Sequence, residues 1–163
     1  MRIALLALVL CLTGSGCGGD DDSEERSLLE LRPVLATSPP PCPTGPEKGE
    51  GLVLPLEAGG KATECLELGR PIVDGRDVRS ATVAKTPAGA PALSVVLGSV
   101  GSANLDGFAG RNQGKRLAIL ADGEVVSAPE VRFTSFAGRI QVTGLSQEET
   151  DDLFRRLNAV IKE

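Results

Sequence analysis

Asp74 and Asp77, separated by Gly75-Arg76, and Asp106, inside LDG, are the side chains whose type and spacing could run chemistry. Two carboxyls held near one another can share general acid and base roles, so a carboxylate-dependent hydrolase is one reading. The same spacings also suit turns and solvated faces. The chain has no His, which removes Ser-His-Asp and Cys-His catalysis and the commonest metal ligand. GSVGSANLDG, with Gly98, Gly101 and Gly107, invites a phosphate cradle. After this stretch Gly-Lys occurs only at Gly114-Lys115, without the Ser or Thr that a phosphate loop places next. No cofactor is expected.

The cysteines divide by position. MRIALLALVLCLTGSGC has a positive start at Arg2, an apolar run from Ile3 to Leu12, and small residues before Cys17. The run is too short to span a bilayer and reads as an export signal over 1–16. It resembles the lipobox of bacterial lipoproteins, with Gly14 where that motif usually has Leu. The resemblance implies an acylated (palmitoylated) Cys17 at the outer face of the cell membrane, followed by a flexible charged tether over 17–27. Cys42 and Cys65 then remain as a pair in an oxidising compartment. A metal site would need more ligands than these two, so a disulfide is expected, worth about 3 kcal/mol. Metal ligands are assigned to none.

Lys and Arg number 17 against 22 Asp and Glu, which argues against nucleic acid. Ser27 to Leu35 reads as a short strand that Pro33 should keep at an edge, and a Pro-rich linker completes 28–50. A folded α+β domain is expected over 51–163: an antiparallel sheet with helices packed on one face, in two layers. Its strands include 78–84, 92–99 with Leu93, Val95 and Leu97 on one face, and RIQVT with Ile140 and Val142 inward. KRLAILADGEVVSAPEV is a hairpin turning on Asp122-Gly123, with Pro129 ending its ladder. Residues 102–113 read as a helix capped by Ser102, with Leu105, Phe108 and Ala109 inward. Ser146 to Glu149 is a capping box opening a last helix that buries Leu153 and Leu157. Asp151–Arg155 and Asp152–Arg156 should pair along its wet face.

The order of ECLELGRPIVDGRDVRSA, GKRLAILADGEVVSAPEV and GRIQVTGLSQEETDDLFRRL resembles the SecD/SecF family of protein-export subunits. The likeness is to the head of SecD's first extracytoplasmic domain and runs from about Glu64 to about Leu157, with LRPVL similar to the strand before it. It implies shape-forming roles for Asp122-Gly123 and for Ser127-Ala128-Pro129. The Tyr that the family often has near Leu66-Glu67-Leu68-Gly69 is missing. No spanning segment follows, so the head is expected alone on its lipid tether, without most of its base and without proton coupling.

Three functions compete. The resemblance implies a non-enzymatic binding module for translocated or unfolded polypeptide, or for Sec translocon components, with Phe133 and Phe136 as the candidate contact. Core packing is the alternative for either Phe. The second is a structural or regulatory envelope protein unrelated to export, and the third is the hydrolase.

Overall fold

The computed structural model describes residues 27–43 and 51–161. The leader, Cys17, the tether up to Arg26 and linker residues 44–50 lie outside them. The elements run β1 (Leu29–Ser38), β2 (Leu52–Ala58), β3 (Lys61–Leu68), β4 (Val73–Asp74), one 3-10 turn (Gly75–Asp77), β5 (Val78–Lys85) and β6 (Pro91–Leu97). Then follow α1 (Ser99–Arg111), β7 (Leu117–Ala121), β8 (Glu124–Ser127), β9 (Arg139–Thr143) and α2 (Gln147–Ile161). The fold is α+β.

The strands form two sheets. The smaller has the order β5-β6-β9, and the larger β3-β2-β8-β7-β1-β4. Because β3 also pairs with β1, five strands of the larger sheet close into a ring. Among the described residues every ladder is antiparallel except β2 to β8, which meet in parallel at Leu56 and Val125.

Alternation decides which core each side chain enters. In β7 the whole of LAILA is buried. Leu117, Ile119 and Ala121 join a large core with β5, β6, β9 and both helices, while Ala118 and Leu120 point into the ring. There they meet Leu66 and Leu68 of β3 and Val125 of β8, with Val34, Leu54 and Leu56 beside them. The period of two thus gives one strand to two cores. Leu93, Val95 and Leu97 of β6 and Ile140 and Val142 of β9 enter the large core, and α2 packs over β5 and β6.

Pro33 does not keep β1 at an edge. β1 pairs with β7 from Leu29 to Pro33 on one side, and on the other with β4 and then, from Val34, with β3. The Pro33 carbonyl accepts from the Gly69 N–H at 2.9 Å, and the Val34 N–H donates to Arg116 O at 3.1 Å. The missing N–H of Pro33 therefore falls where β1 exchanges β4 for β3, and no ladder bond is lost. β1 is part of the fold and not a lead-in to it. Cys42 and Cys65 are joined as a disulfide, with Cα atoms 5.4 Å apart, which ties the segment after β1 to β3.

Two helix details depart from expectation. α1 starts at Ser99 behind Gly98, which caps it without a side-chain bond, so Ser102 lies within the first turn and not at the cap. A Cβ on Gly101 would stand 2.6 Å from the Cβ of Asp77, so this glycine lets α1 lie against the 3-10 turn. In α2 the capping box forms, Glu149 N–H to Ser146 Oγ at 3.2 Å and Ser146 N–H to Glu149 Oε2 at 2.7 Å. Arg155, however, pairs with Asp152 at i,i+3, and Asp151 accepts from the Gln147 amide.

The β7–β8 turn has φ of 53° at Asp122 and 81° at Gly123, both in the left-handed region that a two-residue hairpin requires. Asp122 also accepts a hydrogen bond from Arg156 of α2, which ties the turn to the helix. Gly123→Val should cost about 2 kcal/mol, because a β-branched residue resists positive φ. Asp122→Asn keeps the turn and weakens a half-exposed ion pair, so its cost should stay below about 1 kcal/mol. Thermal unfolding of the two variants checks the order; equal losses would mean that the ion pair, not the turn, holds this corner.

Candidate functional site

The segment between β8 and β9 carries the aromatic candidates. It leaves β8 at Ser127, but pairing with the chain before β7 resumes at once. Leu117 N–H donates to Pro129 O at 2.9 Å, Val131 N–H to Lys115 O at 2.7 Å, and Gly114 N–H to Val131 O at 2.9 Å. Pro129 thus ends β8 without releasing the chain, and Val131 is buried beneath it.

Beyond Val131 the loop turns outward, and Phe133 is 68% exposed. Asp106, on α1, holds the return. Its carboxylate accepts the Phe136 N–H at 2.7 Å and the Ser135 hydroxyl at 3.1 Å. Ala137 and Gly138 then take positive φ of 50° and 67°, and the Gly138 carbonyl accepts from Leu97 N–H at 2.8 Å. Phe136 packs against the large core. The structure thus gives the two Phe different settings: Phe136, half-buried, anchors the loop, and Phe133 is displayed by it. A large apolar side chain held out by a braced backbone loses little entropy on meeting a partner.

The carboxylates singled out for chemistry are tied to backbone. Asp74 caps the 3-10 turn by accepting from Arg76 N–H at 2.9 Å, while Asp77 Oδ2 accepts from Asp74 N–H at 3.0 Å. The Arg76 guanidinium beside Asp74 holds its carboxyl below the ordinary value of 3.8. That is the reverse of what a proton-donating acid needs. The structure brings Asp74 and Asp77 together as a capping box, and Asp106 serves the loop. Chain order alone does not reveal these backbone partners, although Asp followed two residues later by a main-chain donor is a turn signature.

Sequence reasoning missed the pair Glu64 and Arg116. Arg116 donates to both Glu64 oxygens, at 2.7 and 2.9 Å, and its Nε donates to Ala128 O at 2.9 Å. It thus clasps β3 to the loop that follows β8. The hydrogen bond from Arg116 lowers the Glu64 pKa from its ordinary 4.5 against an opposing desolvation. A depressed folded-state value gives stability that is fully present above the unfolded pKa and is lost as pH falls through the folded one. Glu64→Gln should therefore make the fall in unfolding temperature between about pH 5 and pH 3 shallower than in the wild type. Identical acid limbs in the two proteins would remove this role.

The architecture, a closed strand ring joined through β7 to a helix-covered three-stranded sheet, is that of a small α+β head. Residues 53–160 match the family described as SecDF, P1 head subdomain, and the chain belongs to that family. The protein translocase subunit SecD of Treponema pallidum is 35% identical over 83 residues, 51% of this chain and 14% of that protein. SecD of Aquifex aeolicus is 37% identical over 84 residues, 51% of this chain and 17% of that protein. The chain thus spans well under a quarter of the length of these curated relatives. A structure of SecDF, described as a membrane component that enhances protein export, superposes with a TM-score of 0.59 at 23% identity. That match covers 82% of this chain and 63% of the other. SecDF in its super-membrane-facing form gives 0.60 at 23% identity, covering 82% and 19%. At that identity the two structures establish a common fold. Among the described residues no helix is long and apolar enough to cross a membrane.

Proposed function

We propose that this chain is an extracytoplasmic head module, anchored through an acylated Cys17, that serves protein export by holding translocated polypeptide or a translocon component. It performs no bond chemistry. The observation that carries this reading is Phe133, displayed on a loop whose return is braced by Asp106. Membership of the P1 head family supports the export setting, and the backbone duties of Asp74, Asp77 and Asp106 weigh against a hydrolase.

A photo-crosslinking residue at position 133, activated in intact cells, should yield adducts with exported proteins or Sec components. The same probe at Val83, which is also exposed but lies on β5, should not. Equal adducts from both positions, or none from 133, would overturn the reading. For the anchor, Cys17→Ser should move the protein from the membrane to the soluble fraction; a membrane-bound variant would exclude acylation at this residue.

A further inference from the structure

The ring of strands is closed unevenly. β3 pairs with β2 along its whole length, but β2 meets β8 only at Leu56 and Val125. Among the described residues, Leu52, Val53 and Leu54 have no ladder partner on their second edge, and Pro55 has no N–H to offer one. Two cavities open along this seam. One, of about 690 Å³, is floored by Leu52, Leu54, Leu120 and Val125. The other, of about 550 Å³, runs from the β2–β3 turn to the start of α2.

Charge along the seam is predominantly negative. Glu57 and Glu124 line both cavities; Glu30 lines the first, and Asp122, Glu148, Glu149 and Asp152 the second. Among the described residues, Arg32 is the only cation in either lining. Several of these groups already have partners: Glu30 with Arg32, Asp122 and Asp152 with Arg156, Glu149 with the α2 cap. Glu57, Glu124 and Glu148 are exposed and form no ion pair among the described residues.

We infer that the β2–β8 seam docks an extended polypeptide segment that alternates Lys or Arg with aliphatic residues, an inference that rests on the polypeptide-binding reading above. A strand laid beside Leu52–Leu54 can use the open backbone edge. Its alternate side chains then point to opposite faces, one set onto the apolar floor and the other toward Glu57 and Glu124. Charge complementarity selects this occupant over the others. The chain's own segments nearest the domain are acidic, Gly18 to Arg26 with five carboxylates and one Arg and 44–50 with Glu47 and Glu50 against Lys48, while 1–17 carries Arg2 alone and does not alternate charge with aliphatic residues. A second copy would present the same acidic seam and be repelled.

The test measures binding of three fluorescein-labelled peptides, alternating Lys-Val, Glu-Val and Lys-Ser, to the full chain by anisotropy. Lys-Val should bind at least about tenfold more tightly than either of the others, and its affinity should fall with added salt. Glu57→Gln with Glu124→Gln should weaken Lys-Val binding about tenfold, and Glu57→Lys with Glu124→Lys should weaken it further. Both side chains are exposed, and an unchanged thermal transition will verify that the variants fold. Phe133→Ser should leave Lys-Val binding as it is. Equal binding of Glu-Val, no binding of Lys-Val, or wild-type affinity in the folded Lys variant would overturn the seam. If Lys-Val affinity follows Phe133 and not the glutamates, the seam falls while the polypeptide reading stands. If it follows the glutamates but position 133 gives no adducts in cells, the seam stands as the polypeptide site and the contact assigned to Phe133 falls.

Discussion

Gly144→Val should leave a protein that unfolds roughly 10 °C or more below the wild type, a loss of at least about 3 kcal/mol. Gly144 has φ of 98°, and a Cβ there would stand 2.6 Å from the carbonyl oxygen of Val126. Two costs therefore add. The backbone conformation disfavours any L side chain, by about 1–2 kcal/mol. The contact is with main chain, which cannot swing aside as a side-chain tip can, and it lies where the end of β9 crosses β8 and the two sheets meet. Gly89 separates the terms. Its φ of 84° is as unfavourable, but nothing lies within 4 Å of a Cβ there. Gly89→Ala should thus show the conformational cost alone, and Gly144→Ala should exceed it by about 1–2 kcal/mol, as expected for overpacking. Equal melting temperatures for the two Ala variants would show that the approach of β9 to β8 does not constrain the fold.

Thr143-Gly144 stands out in the sequence only as part of GRIQVTGLSQEETDDLFRRL, one of the stretches that carry the family resemblance, and its physical reason is this close approach. The contrast with the elements read correctly is one of range. Asp122-Gly123, the alternation of RIQVT and the Ser146–Glu149 box are each decided within a few residues, so their chemistry is visible in order along the chain. The place of β1 is decided by three strands distant in sequence. Pro33 signals an edge when its missing donor is judged alone, and only the exchange of β4 for β3 shows that the missing donor has no partner to lose. The candidate site divides in the same way. Phe133 and Phe136 are equivalent in VRFTSFAG, and Asp106, a residue 30 positions before Phe136, separates them by fixing which end of the loop returns to the core. Glu64 and Arg116 lie 52 residues apart, in two stretches singled out for other reasons. Nothing short of the ring closure brings them together.

Leu120→Ala should cost about 3 kcal/mol and, more tellingly, should lower the stability of both sheets together. Leu120 is 1% exposed and fills the ring between Leu66, Leu68 and Val125. That core is small, and outside the β2–β8 seam its walls are ladders of hydrogen bonds. Their spacing cannot shrink to absorb a lost side chain, so the cavity persists and its cost adds to the lost transfer energy. The ring also shares β7 with the rest of the molecule. Leu117 and Ile119, on the strand's other face, lie in the core that α2 and the three-stranded sheet cover. Loosening the ring therefore unseats the strand on which the second core is built. Chemical denaturation of the variant should remain a single transition, moved to lower denaturant with unchanged slope. Native-state hydrogen exchange should report the same loss at Ile119 in β7 and at Val95 in β6. A variant in which β6 kept wild-type protection while the ring alone lost it would show two separately folding units, and the claim that β7 joins the cores would fail.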